Sequence, residues 1–167
     1  KYLSEVKEQM EKYHHEKEVE GLLFDYKHFY GSYNYIGISR RWYRREVRVI
    51  RNDKAIYSYR DAQGFRKKGR KLNVKHIPCE IYHYGWVKHP KTQQDKQRYF
   101  HKLWHDDEWM KKNIPDVNQY DYSVIDALSK FSGTHPKVMQ ERITEPIGNF
   151  NTTLIRRNLA LRKKYFG

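Results

Sequence analysis

The sequence predicts an α/β domain built on a mixed sheet flanked by helices, and three observations carry that prediction. Apolar runs of strand length alternate with polar stretches of helical period. Glycines, prolines and an Asn52-Asp53 pair punctuate the chain between them. Rings supply the bulk: 16% of the 167 residues are aromatic, 15 Tyr and 4 Trp among them, against a hydrophobic content of only 38%. That is enough material for one core and short for two domains.

Residues 1–17 are predicted helical, because Leu3, Val6, Met10 and Tyr13 recur at three- and four-residue spacing amid Glu and Lys. The chain opens on Lys1 with this helix already under way, so it reads as a fragment of a longer protein. VEGLLFDY (19–26) is continuous and apolar, as a buried strand is. Gly31 and Gly37 punctuate an aromatic loop, FYGSYNYIG. Residues 45–51 alternate as a half-buried strand, with Val47 and Val49 on one face and Glu46, Arg48 and Ile50 on the other. Residues 57–69 lack periodicity and read as a loop with one helical turn at most. Residues 72–77 and 80–86 are strand-like segments separated at Pro78. Pro90 opens a polar helix to about His105, and a second helical segment follows over 107–112. Ser123 to Asp126 forms a capping box before Ala127, Leu128 and Phe131, with Gly133 closing that helix. Pro136 starts a short helix through Ile143. Residues 150–167 form a basic amphipathic tail.

The formal charge is +14, which favours anionic partners: nucleic acid, phospholipid headgroups or sugar nucleotides. The excess is spread over the Arg40 to Arg51 region, residues 66–71 and residues 156–164 instead of forming one basic arm. Each such cluster also has the ordinary reading of a solvated face. Cys79 is the one cysteine, so no intrachain disulfide forms and a reducing compartment fits. No apolar run approaches the roughly 20 residues of a membrane span. The rings suit sugars and bases alike, since a Tyr or Trp edge stays wet at a cleft wall.

Several constellations can carry chemistry. His83, in IYHYGW (81–86), ends a strand beside Gly85, where it can ligate a metal or touch a phosphate; the alternative is a satisfied histidine at a sheet edge. Asp61, in DAQG (61–64), is a loop carboxylate able to serve as a general base, or else a turn or cap aspartate. Asp106, Asp107 and Glu108 lie between Trp104 and Trp109, where they can grip sugar hydroxyls or a metal, or cap a helix. His101 and His105 share a helix face, but the Glu of His-Glu-x-x-His is absent, so a zinc site is rejected. No phosphate-cradling glycine loop, Cys-x-x-Cys pair or Gly-x-Ser-x-Gly elbow occurs.

GRKLNVKHIPCEIYHYG (69–85) resembles a segment of family 2 glycosyltransferases in which a Gly-led strand passes a Pro and ends in a Tyr-His pair. In those enzymes an acidic pair precedes that glycine, and its aspartate is the catalytic base. Asp61 stands at about that position, with Arg60-Asp61 in place of the usual Glu-Asp and a shortened helix between. The chain also resembles a narrower group of family 2-like bacterial glycosyltransferases through EGLLFDYKHFYGSYNY (20–35), SRRWYRREVRVIRN (39–52), RDAQGF (60–65), IYHYGW (81–86), WHDDEW (104–109) and FSGTHPKVM (131–139).

That resemblance implies the C-terminal, acceptor-side portion of a GT-A-like fold over residues 1–167, with the nucleotide-binding front half absent. It implies sugar transfer from a nucleotide-sugar donor to a glycan or lipid-linked acceptor, in bacterial cell-surface polysaccharide synthesis on the cytoplasmic side of the membrane. A divalent ion, Mn or Mg, would sit on the diphosphate, its acidic ligands coming from the front half and His83 acting as a late ligand or phosphate contact. Asp61 would be the base. Arg44 and Lys88 supply positive charge, Gln63, Asp106 and Asp107 supply polar contacts, and Tyr30, Tyr33, Tyr35 and Trp86 supply walls against sugar rings. The rival expectation is a non-catalytic basic module for nucleic acid or an anionic membrane surface. The distributed charge and the absence of any nucleic-acid motif weigh against nucleic acid.

Overall fold

The computed structural model describes residues 2–60, 64–125, 127–143 and 147. The fold is mixed α and β, with antiparallel sheets and four α-helices among those residues. It divides into two compact units, residues 1–27 with 43–82 and residues 28–42 with 83–167. Two paired strands, β1 (Gly21–Tyr30) and β7 (Val74–Trp86), contribute residues to both. Each unit has its own core. No helix among the described residues is long and apolar enough to cross a membrane.

In the first unit the core is Leu22, Phe24, Ile77 and Cys79, with Val49, Ile81 and the helix α1 (Leu3–His14) packed against it. Alternation explains the set: Leu22 and Phe24 lie two apart on β1, Ile77 and Cys79 two apart on β7. From α1 only Val6 and Tyr13, with Tyr2 ahead of it, reach this core; Leu3 and Met10 of the predicted stripe are exposed. The helix end is held by Arg51, whose guanidinium donates to the carbonyls of Tyr13, His14 and Glu16. Tyr13 and His14 are in the last turn, where carbonyls lack a full set of intrahelical donors, and Glu16 lies just past it.

Strand β3 (Arg45–Ile50) pairs antiparallel with β1, with a bulge where Leu22↔Val49 is followed by Leu23↔Val47. The bulge breaks the expected alternation, since one extra residue moves the rest of the strand to the other face. Glu46 thus lies opposite buried Phe24 and is itself buried, where the sequence pattern put it outward. Its carboxylate is ion-paired with Arg48.

The buried charge that organises this unit is Glu20. Its carboxylate accepts two bonds from Arg70 at 2.7 Å each and one from the Asn73 N–H at 2.9 Å, and lies 3.0 Å from the Lys67 ammonium. Bonds from Arg70 and Asn73 hold it well below the usual carboxylate range. Lys67 and Arg70 belong to a three-stranded sheet, β4 (Ile56–Tyr59), β5 (Gly64–Lys67) and β6 (Arg70–Lys71). This corrects the expected loop over 57–69: the stretch is a hairpin followed by a tight turn.

In the second unit the core is Tyr30, Trp42, Tyr122, Ile125 and Leu128, with Tyr35, Trp86 and Tyr120 packed against it. Strand β2 (Tyr35–Gly37) joins the end of β1 to β8 (Leu128–Lys130). The predicted helix over 123–133 is therefore corrected: Leu128–Lys130 form a strand, and none of the described residues of that stretch is helical. The Ser123 N–H that a capping box would use is taken by the Asp121 side chain at 2.8 Å, and the Ser123 carbonyl accepts from the Ile125 N–H. Ile125 and Leu128 then fill the core. The expected break at Pro78 is absent as well: β7 runs through it, with Ile77 and Cys79 buried on either side and Pro78 exposed. Extended backbone tolerates a proline φ at the loss of one ladder donor.

Helix α2 (Pro90–Lys102) starts at its proline as expected, α3 (Asp107–Asn113) follows, and a 3₁₀ turn at Lys137–Met139 leads into α4 (Gln140–Ile143). The tail over 150–167 lies outside the described residues.

Gly37 is a point of close approach, since a Cβ there would sit 2.2 Å from Trp42 Nε1. Gly37→Ala is expected to lower stability by about 2 kcal/mol through overpacking and to shift the indole. Chemical denaturation followed by Trp fluorescence measures both.

Candidate functional site

The second unit carries a wall of rings with cations set on it. Trp86, at the end of β7, packs its ring 5.8 Å from Trp42, 6.0 Å from Tyr30 and 6.0 Å from Tyr120. Tyr30, fully buried, lies at the base of this cluster, and burial pushes its hydroxyl pKa far up. Its hydroxyl and that of Tyr120 are 3.4 Å apart, while the Tyr122 hydroxyl donates to the Lys88 carbonyl at 2.9 Å. Trp86, Tyr35 and Tyr120 are half-buried. Trp42 is buried, and its indole N–H has no hydrogen-bond partner among the described residues.

The Arg41 guanidinium sits 5.6 Å from the Trp42 ring and 5.8 Å from the Trp86 ring. The Lys96 ammonium lies 5.9 Å from the Trp86 ring and donates to the Gly85 carbonyl at 3.0 Å. Burial, together with the charge of Lys88, lowers the Lys96 pKa from its ordinary value. Neither lysine is ion-paired with a carboxylate among the described residues. A half-buried ammonium beside a second one, answered by a carbonyl and a ring, is arranged for an anion.

His83 Nδ1 lies 3.2 Å from His28 Nδ1, and His28 packs on Trp42 at 4.9 Å. Gly85 gives the His83 ring its room, since a Cβ there would come within 2.5 Å of the imidazole. Among the described residues no group of three His, Cys, Asp or Glu side chains could hold a metal. An imidazole pair without carboxylates suits Mg or Mn poorly, because both take oxygen ligands. The donor set of this chain fits a hydrogen bond to phosphate better than a metal cage.

The other sequence-predicted residues are dispersed. Tyr33 packs on Tyr84 and His135 at 5.7 and 6.0 Å, in a second ring cluster with Phe29 and Phe131. Tyr35 pairs with Lys130 across β2 and β8. Arg44, in the first unit, is exposed and uses its carbonyl to accept from the Tyr26 N–H. Asp106 is the N-cap of α3, accepting from the Trp109 N–H at 2.8 Å, and Asp107 lies in the first turn. The helix-capping alternative for these acids is what the structure has. His105 stacks on Trp109 at 3.6 Å. Asp61 and Gln63 lie outside the described residues.

Sequence reasoning missed His28, Trp42, Arg41 and Lys96 as site residues. His28 and His83 meet only because β1 pairs with β7, a contact between residues 55 apart. Trp42 was hidden in the basic run RRWYRR, where Gly37 gave the usable signal: a glycine inside a ring-rich strand marks a close approach. Compared with protein-family models, curated proteins and solved structures, the chain matches none.

Proposed function

We propose that this chain is the acceptor-side portion of a GT-A-type glycosyltransferase, which moves a sugar from a nucleotide donor to a glycan or lipid-linked acceptor. The observation that carries the reading is the half-buried Trp86 ring, packed on buried Trp42, with Arg41 and Lys96 set on it, Lys88 near Lys96, and no described carboxylate answering the two lysines. The half-buried Trp86, Tyr35 and Tyr120 rings suit the apolar side of a sugar ring, with buried Trp42 behind Trp86, and the cations suit phosphate.

In direct displacement, the acceptor hydroxyl attacks the anomeric carbon, its proton passes to a carboxylate, and the diphosphate departs in line. Asp61 is the proposed base. Lys88, Lys96 and Arg41 are proposed to hold phosphate charge, with His83 donating a ring N–H to it, and Tyr33, Tyr35 and Trp86 to border the sugar. Arg44 and Gln63 stay in the proposed substrate set. Asp106 is committed to capping α3, and Asp107 lies in that helix's first turn. A divalent ion, when bound on the diphosphate, neutralises the leaving group; its acidic ligands belong to the proposed front half.

Division of labour is what the experiment tests. The 167-residue chain incubated with radiolabelled nucleotide sugars and membrane lipid extract is expected to transfer nothing. A polypeptide carrying a nucleotide-binding half ahead of it is expected to transfer. Transfer by the chain alone, or none by the longer polypeptide with any donor, would contradict the proposal.

A further inference from the structure

We propose that the outward face of the β4–β5–β6 sheet is a docking surface for the anionic phospholipid headgroups of a membrane. Register divides this sheet into two faces. Ile56 lies opposite Lys67, which lies opposite Arg70; Tyr57 lies opposite Arg66, which lies opposite Lys71. The first set turns inward, where Lys67 meets Glu20 and Asp53 at 3.0 and 2.8 Å and Arg70 meets Glu20. The second set carries no ion pair among the described residues: Tyr57 is 47% and Tyr59 36% exposed, Lys71 is exposed, and Arg66 is half-buried. No acid occupies a described outward position of the register.

The connections carry further cations, Lys68 and Arg60, the latter followed in sequence by Asp61. Lys68 and Gly69 have φ of 49° and 80°, the two positive values of a type I′ turn, and Arg60 has φ 56°. Such backbone favours Gly or Asn, so lysine and arginine at these positions are not explained by local conformation. This small sheet and its turns thus hold four cations, Arg60, Arg66, Lys68 and Lys71, and two exposed tyrosines. Anionic leaflets attract clusters of this kind, and tyrosine is enriched at the headgroup level. A single-stranded nucleic acid would need open rings for its bases to stack on. Here only Tyr57 is left open, since the Tyr59 ring is covered by Arg66 at 4.3 Å and Arg60 at 5.3 Å, so successive bases have no second ring on this face. The guanidiniums and ammoniums are what this face offers, and they match phosphate. The inference stands on the hairpin alone and does not require sugar transfer.

The test is sedimentation with vesicles of phosphatidylglycerol and phosphatidylcholine, against phosphatidylcholine alone. One variant combines Arg60→Asn, Arg66→Gln, Lys68→Asn and Lys71→Gln; asparagine suits the two positive-φ sites, so the fold is not put at risk. A charge-matched control combines Lys91→Gln, Lys102→Gln, Lys111→Gln and Lys112→Gln, all exposed. Both keep the basic stretch over 150–167. Each surface-near cation raises partitioning about fivefold, so the hairpin variant should lose at least about 100-fold on anionic vesicles and the control less than about tenfold. Equal losses in both variants would overturn the proposal, as would failure of the unaltered chain to sediment with anionic vesicles. So would a hairpin variant that keeps its partitioning but loses binding to a single-stranded oligonucleotide.

Discussion

Asp61→Asn lowers sugar transfer by about a thousandfold, within the 10²–10⁴ range of a lost general base and equal to about 4 kcal/mol of barrier. The assay is the one in which this chain follows a nucleotide-binding half. The amide keeps the size of the carboxylate and cannot take a proton, so the loss should fall on kcat and leave donor affinity within about twofold. The pH profile should change with it, because the ascending limb that reports an ionising carboxylate disappears. Near-normal rates would move the base elsewhere, first to Asp107, since one oxygen of Asp106 is already committed to the Trp109 N–H.

Glu20→Gln destabilises the first unit by about 2–3 kcal/mol, because a buried amide replaces the carboxylate that accepts from Arg70 and the Asn73 N–H, and leaves Lys67 with Asp53 alone. In a chain of this length that lowers the melting temperature by roughly 5–10 °C. Glu20 has three donors within 2.9 Å plus the Lys67 ammonium at 3.0 Å, so neutral glutamine cannot satisfy the same set. The pH dependence has a definite sign. The folded state holds the Glu20 pKa below its ordinary 4.5, so its contribution is present above that pH and is lost as pH falls further. Stability should therefore decline below pH 4.5 in the unaltered chain and decline less in the variant. A residual slope remains from Asp25 and Glu80, whose pKa values are also lowered despite burial. Denaturant midpoints measured from about pH 3 to pH 7 test this; parallel curves for the two proteins would count against it.

What the sequence revealed and what it hid divide along the range of the forces involved. Helix α2 begins at Pro90 and α3 behind Asp106 because those signals act within one turn of backbone. Strand β1 was legible because its apolar run is longer than any loop would carry. The hairpin at 56–67 was not, since its outward positions hold Tyr57 and Tyr59 and its inward positions include charged Lys67, reversing the usual apolar code. Strand β8 was hidden behind a sound local helix signal that lost to tertiary packing of Ile125 and Leu128. The candidate site was half visible. Trp86, Lys88 and His83 announce themselves in one strand end, but His28, Trp42, Arg41 and Lys96 reach them only through strand pairing and helix placement. No local pattern encodes those meetings.

An anion-bearing sugar ligand is expected to be received at the Trp86 ring, which packs on buried Trp42, and the indole N–H resonances of the 4 tryptophans report on it directly. With the peaks assigned by single Trp→Phe substitutions, the chain is titrated with a short-chain prenyl diphosphate sugar to about 1 mM, a concentration that still detects weak binding. The expected result is a saturable shift of the Trp42 and Trp86 peaks, with Trp104 and Trp109 unmoved, and loss of the shift in Lys96→Met. Movement confined to Trp104 and Trp109, or no shift at any peak across that range, would contradict it.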